Sequence, residues 1–267
     1  MIVGLPMYAL PELDAATQAW GRGLLRHFAN AELKDLPVDL TEPVDLEAHW
    51  LAPDLLFTQT CGYPLTHVLA GKVQLLATPC YRAAGCDGAT YRSYVVVRED
   101  SGIETPEDLR GKRVAYNGTD SQSGYNTLRH LVAPLAEHGR FFASGLETGA
   151  HRLSLAAVRR GEADVASIDC VSLALIEQVA PEEMQGIRRL CPTAPAPNLP
   201  YITSLTTSAE TMHRLRDGLQ AAVNDPALRA AREALLIADV TVLPPAAYAA
   251  ILAMEEEAVA SGYPRLD

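Results

Sequence analysis

Positive charge is scarce in this chain of 267 residues: 22 Lys and Arg stand against 33 Asp and Glu, a formal net charge of -11. No basic run interrupts that balance, which excludes a nucleic-acid partner and an anionic membrane surface. Any anion that binds must be attracted locally. Long apolar runs are missing as well. The longest candidate, from Val240 to Met254, carries Pro244-Pro245 inside it, short of the roughly eighteen apolar residues of a membrane span, so no transmembrane helix is expected. The opening residues Met1-Ile2-Val3-Gly4-Leu5-Pro6 lack the basic region, apolar stretch and cleavage site of a secretory leader. The expectation is a cytoplasmic protein, or an exported one whose leader has been removed.

Cysteine is sparse and unpatterned. Cys61, Cys80, Cys86, Cys170 and Cys191 form no CxxC and no Cys/His metal spacing, so no metal is expected. Buried free thiols are the expectation, with a Cys61–Cys86 bridge as the alternative in an oxidising compartment. A glycine-rich dinucleotide fingerprint, a nucleophile beside an evident base, an internal repeat and a low-complexity tract are all absent, so neither a cofactor nor catalysis is expected. The chain has no room for a helix-turn-helix beside its main fold.

What is present is a core-forming composition, 48% hydrophobic, sufficient for one large domain or two lobes. Strand and helix patterns alternate, which points to an α/β protein with parallel sheets covered by helices. Strands are expected at residues 2–5, 54–57, 73–77, 91–98, 112–116, 164–169 and 201–207. Helices are expected at 13–28, 125–132, 151–161, 171–179, 209–223, 226–236 and 245–260. Thr105-Pro106-Glu107-Asp108 adds a short helix start, with a capping hydroxyl, a proline and acids in the first turn. Cys191-Pro192-Thr193-Ala194-Pro195-Ala196-Pro197-Asn198-Leu199-Pro200 reads as a semi-rigid crossing segment.

The segment that carries chemistry is Asn117-Gly118-Thr119-Asp120-Ser121-Gln122-Ser123-Gly124, between a strand and a helix start. Unpaired amides at a helix start, short hydroxyl side chains and the helix dipole converge donors on an anion without any lysine. Gly124 lets the backbone approach a ligand closely. Capping of the helix by Ser121 and Ser123 is the bland reading, and the two roles are compatible. Asp169 ends a strand, where open α/β sheets are approached by ligands, and either receives an ammonium group or orients His151 or a serine. Tyr8, Gln59, Thr60 and Tyr63 follow the ends of two other strands and offer further hydrogen bonds. Arg92, Arg152 and Arg159 read as solvated charges.

The run YRSYVVVREDSGIETPEDLRGKRVAYNGTDSQSGYN, followed by TGAHRLSLAAVRRGEADVASID, resembles the second lobe of the phosphonate/phosphate-binding proteins of ABC importers. The resemblance implies a two-lobed α/β fold of the type II periplasmic-binding-protein kind, its lobes joined by two crossing strands. Lobe one would be 1–90 plus 201–267 and lobe two 91–200, with the ligand held between them. It further implies a solute-binding protein, not an enzyme, that closes around a small phosphonate- or phosphate-like anion for ABC-type transport or sensing. An ABC permease is the implied partner, in the periplasm if a leader is removed. Ser121, Ser123 and Gly124 stand in the place of the family's anion loop, His151 in that of a ligand-contacting histidine and Tyr91 in that of a tyrosine on the first crossing strand. The family's usual proline and threonine near the loop are replaced by Thr119-Asp120 and Gln122, which leaves the identity of the anion open. The alternative on the same fold is a cytoplasmic enzyme resembling the menaquinone-pathway chorismate dehydratase, with His151 and Asp169 as acid and base.

Overall fold

The computed structural model describes residues 1–266, which divide into two compact units. The first comprises Met1–Arg82, Asp87–Ala89 and Pro197–Ala247; the second comprises Ala83–Cys86, Thr90–Ala196 and the chain from Tyr248 onward. Each is built on its own five-stranded sheet.

In the first unit the strand order is Ile2–Val3, Leu55–Gln59, Tyr201–Ser204, Val73–Tyr81, Ile237–Thr241. The first two run parallel, and Tyr201–Ser204 inserts antiparallel between its neighbours, with Tyr201 opposite Gln59 and Ala77. Leu55–Gln59 is buried at every position, which is why it reads as a continuous run and not as an alternation. Helices Asp14–Asn30 and Ala209–Asn224 contribute the buried Trp20, Leu24, Phe28, Leu215 and Leu219 to the core, where Phe28, Phe57 and Tyr201 pack ring against ring at 5.3 and 4.8 Å.

In the second unit the order is Ser144–Glu147, Arg113–Tyr116, Val165–Asp169, Ser93–Arg98, Ile187–Pro192. The first three strands are parallel and the last two antiparallel to their neighbours. The carboxyl ends of the three parallel strands, Tyr116, Glu147 and Asp169, therefore share one edge. Each leads toward a helical element: the turn Gln122–Asn126 continued by Thr127–Val132, then His151–Arg159, then Cys170–Val179. Such an edge is where an open α/β sheet presents helix starts to a ligand.

Both sheets are mixed, where the alternation of patterns predicted parallel ones. The antiparallel strands Ser93–Arg98 and Tyr201–Ser204 each follow closely on a passage of the chain from one unit to the other, and those passages, Thr90–Tyr91 and Ala196–Pro197, pair in a two-stranded ladder. The predicted strand 91–98 is accordingly broken at Arg92. Besides the two-residue Ala196–Pro197, three longer strands were not expected from the sequence: Ser144–Glu147, Ile187–Pro192 and Ile237–Thr241. The first is exposed throughout and the other two are largely half-buried, so none carries a clean apolar period.

The end of the chain also differs from expectation. Residues from Tyr248 onward cluster with the second unit, not with the first. Helix Ala249–Ala260 buries Ile251, Met254 and Ala258, and beyond it Tyr263 and Leu266 are fully buried in the second unit's core with Leu128, Val132, Phe141 and Phe142. Arg129, 3% exposed, anchors the segment: its Nη1 donates to the Pro264 carbonyl at 2.7 Å, and its Nη2 donates to Asn126 Oδ1 at 2.7 Å and to Glu255 Oε1 at 3.0 Å. Arg129→Leu is expected to lower stability by roughly 2–4 kcal/mol, because the buried Asn126 side chain, the Pro264 carbonyl and the half-buried Glu255 carboxylate all lose this donor. Urea unfolding checks this; a loss within about 0.5 kcal/mol, as for an ordinary surface change, would contradict it.

No disulfide joins the five cysteines; the Cys86 thiol faces Cys170 and is not bridged to Cys61. Among the described residues no helix is long and apolar enough to cross a membrane, and no group of three or more His, Cys, Asp and Glu side chains could hold a metal ion.

Candidate functional site

The edge of the second sheet is organised around one turn. After strand Arg113–Tyr116 the chain runs through the half-buried Asn117 and the buried Gly118 into Ser121, which caps the following turn by accepting the Gly124 amide on its Oγ at 3.0 Å. Gln122–Asn126 winds as a wide π-type turn, with the Asn126 amide reaching back to the Ser121 carbonyl. Such a turn displaces the regular hydrogen-bond ladder and commonly marks a functional site. Here the Ser123 carbonyl is taken up by two hydroxyls, Thr127 Oγ1 at 2.9 Å and Ser167 Oγ at 2.7 Å. The turn is thereby fixed to its own helix and to the neighbouring strand. Gln122 and Asn126 point the other way, to Met254 Sδ and the Ile251 carbonyl on the C-terminal helix.

The serines face His151, the first residue of its helix. Ser123 Oγ lies 2.8 Å from His151 Nε2 and 3.5 Å from Ser121 Oγ. Gly124 completes the group by being small: a β-carbon there would stand 1.9 Å from Asn117 Oδ1 and 3.3 Å from His151 Cε1. Ser121, Ser123, Gly124 and His151, spread over 31 positions from 121 to 151, thus form one cluster of hydroxyls, ring nitrogen and helix-start amides. No Lys or Arg occurs between Asn117 and Asn126.

Burial sets the ionisation of the histidine. Desolvation of the partly buried ring pushes the His151 pKa down to about 4, against a weaker opposing effect of the Ser167 backbone. Nδ1 is buried without a full hydrogen-bond partner, so the ring of the unliganded protein is neutral and positioned by Ser123. The unfolded ring titrates near 6.5 and the folded one near 4. Its contribution to stability is therefore complete above pH 6.5 and is lost as the pH falls toward 4. Between pH 7.5 and 5 the wild type is expected to lose about 2 kcal/mol more than His151→Gln, since every other titrating group is common to both. Urea unfolding at the two pH values measures the difference; parallel losses would show that the ring titrates normally.

Asp169 ends the third parallel strand and is 1% exposed. Its Oδ1 accepts the amides of Val171 and Ser172 at 2.7 and 3.0 Å, capping the next helix. It does not orient His151. Tyr91, 2% exposed, lies just beyond the same edge, because Ser93 pairs with Asp169 and the Arg92 carbonyl accepts the Cys170 amide. Arg152 is held by Glu183 through a two-pronged pair, Arg92 is exposed and donates to the Thr193 carbonyl, and Arg159 is exposed.

In the first unit the candidates separate. Tyr8, in a left-handed conformation at φ 60°, and the buried Gln59 follow and end the parallel strand pair, and both line a small cavity of about 30 Å³ with Trp20, Tyr81 and Tyr201. Gln59 Nε2 donates to Tyr81 Oη at 2.9 Å and to the Leu199 carbonyl at 3.0 Å. Burial holds the Tyr201 hydroxyl well above the usual phenol range. Thr60 and Tyr63 do not line this cavity: Thr60 is fully buried, and the Tyr63 ring stacks on His67 at 3.7 Å. Trp20, Tyr81, Tyr201, Thr127 and Ser167 were not singled out in the sequence. Ser167 alone left a signal, a hydroxyl set between apolar neighbours in a buried strand.

Comparison with known proteins bears on the family and the fold. A family pattern described as ABC transporter, phosphonate, periplasmic substrate-binding protein matches residues 52–248. A binding-protein component of an ABC phosphonate transporter from Pseudomonas aeruginosa superimposes with a TM-score of 0.79 at 15% identity, covering 98% of this chain and 87% of that one. PhnD1 from Prochlorococcus marinus, in complex with methylphosphonate, gives 0.77 at 11% identity, covering 96% and 97%. A Xanthomonas citri protein bound to ATP gives 0.73 at 16% identity, covering 98% and 97%. A search of curated protein sequences gives no match.

Proposed function

We propose, for a chain that belongs to the family of periplasmic substrate-binding proteins of ABC phosphonate transporters, that its second unit takes a small oxyanion of the phosphonate or phosphate class at the Ser121–Gly124 turn. The observation that carries this reading is the cluster of Ser121 Oγ, Ser123 Oγ and His151 Nε2 at a helix start on the carboxyl edge of three parallel strands. Hydroxyls and unpaired amides at such a start donate to an oxyanion, and the dipole supplies positive potential that the acidic chain otherwise lacks. The bound solute is then handed to an ABC permease.

Binding without catalysis is part of the proposal. His151 is engaged by Ser123 and the Asp169 carboxylate by two amides, so the acid and base of an enzymatic reading serve other partners. A thermal-shift screen with methylphosphonate, inorganic phosphate, sulfate and acetate tests the reading. A ligand at a hundredfold excess over its Kd stabilises by about 2.7 kcal/mol, equivalent to a rise in Tm of roughly 5–10 °C. The expected order places methylphosphonate and phosphate above acetate. A protein indifferent to all four anions would defeat the proposal.

A further inference from the structure

Outside the anion cluster the second unit brings two thiols face to face. Cys86 Sγ lies 3.5 Å from Cys170 Sγ across 84 positions of sequence. The approach is built by the backbone: Gly85, at φ 101°, packs so closely that a β-carbon on it would stand 3.1 Å from Cys170 Cβ and 3.3 Å from its Sγ. The two side chains are held by segments of different origin, a four-residue excursion Ala83–Cys86 and the first residue of helix Cys170–Val179.

We propose that Cys86 and Cys170 are a dithiol pair that closes to a disulfide on exposure to a low-molecular-weight disulfide oxidant. A disulfide has sulfurs about 2.0 Å apart, so closure needs an approach of about 1.5 Å, within reach of side-chain rotation and a slight shift of the 83–86 segment. The two thiols are unequal in the way the chemistry requires. Cys86 is partly exposed, and the hydrogen bond from Cys170 lowers its pKa; Cys170 is buried, and its pKa is raised by that same contact and by desolvation. The Cys86 thiolate attacks one sulfur of the oxidant, forming a mixed disulfide and releasing one thiolate of the reagent. Cys170 then gives up its proton and displaces the second reagent thiolate from the Cys86 sulfur. Two protein thiols are oxidised and one reagent disulfide is reduced to two thiols. The bond ties the 83–86 segment to the start of the helix that follows Asp169.

The test is incubation of the whole protein with oxidised glutathione, followed by alkylation and peptide mapping by mass spectrometry. The expected result is a Cys86–Cys170 cross-linked peptide, loss of two of the five titratable thiols, and a rise in Tm of about 5–10 °C that dithiothreitol reverses. Cys170→Ser is expected to retain glutathione on Cys86 as a stable mixed disulfide, and Cys86→Ser to yield no cross-link. The proposal is overturned if the wild type keeps all its thiols, accumulates the Cys86 adduct without closing, or cross-links through any other cysteine.

Discussion

Ser123→Ala is expected to weaken binding of methylphosphonate or phosphate by ten- to a hundredfold, the largest effect of any single hydroxyl in the protein. A hydrogen bond to a charged partner contributes roughly 1.5–3 kcal/mol, and about 1.4 kcal/mol is a factor of ten in Kd. Ser123 is 3% exposed, and its Oγ is the atom that joins Ser121 to His151. Removing it deletes one donor and frees the ring that it positions. Arg92→Ala and Arg152→Ala serve as the contrast. Arg92 is exposed and Arg152 is committed to Glu183, so each is expected to shift Kd by no more than about twofold. Isothermal titration of the three variants separates the cases: affinity lost with an arginine and kept without the serine would move the anion to a basic clamp.

Gly124→Ala has the second largest expected effect, and it acts on fold and binding together. The added carbon would lie 1.9 Å from Asn117 Oδ1, so Asn117 has to swing aside, and at 3.3 Å from His151 Cε1 it presses on the ring as well. Overpacking of this kind costs about 1–3 kcal/mol, and displacement of the donors should weaken anion binding by tenfold or more. Asn117→Ala in the same chain removes the first obstacle. The double variant is therefore expected to recover most of the stability but not the affinity, because the new methyl group still occupies the approach to the amides. Recovery of both in paired unfolding and titration experiments would mean that the glycine serves only to fit Asn117.

The Ser121–Gly124 turn and its cap were legible because their geometry is local. A cap, a glycine and a helix start lie within a few consecutive residues, and the burial of Val114, Ala115 and Val165–Asp169 follows from their own apolar runs. His151 was legible as the first residue after a glycine-bearing loop, although its neutrality was not, since that depends on enclosure by residues remote in sequence. The placement of the C-terminal helix was hidden for the same reason. It rests on pairs such as Arg129 with Glu255, 126 positions apart, and no local pattern announces which of two cores an apolar helix joins. Tyr81 lies outside the expected strand 73–77 and Tyr201 opens the expected strand 201–207, and only the register that sets Tyr201 beside Gln59 brings it to the cavity with Tyr81 and Tyr8. The edge strand Ser144–Glu147 has no buried residue and hence no period to find.

In the proposed site the anion is held by hydroxyls and amides at a helix start, with no basic side chain in the turn. A structure of the protein crystallised with methylphosphonate tests it most directly. The predicted result is phosphonate oxygens within about 2.5–3.2 Å of Ser123 Oγ and of the amides at the start of the Gln122–Asn126 turn. Density for the anion on an arginine cluster elsewhere, with the Ser121–Gly124 turn unchanged, would contradict it.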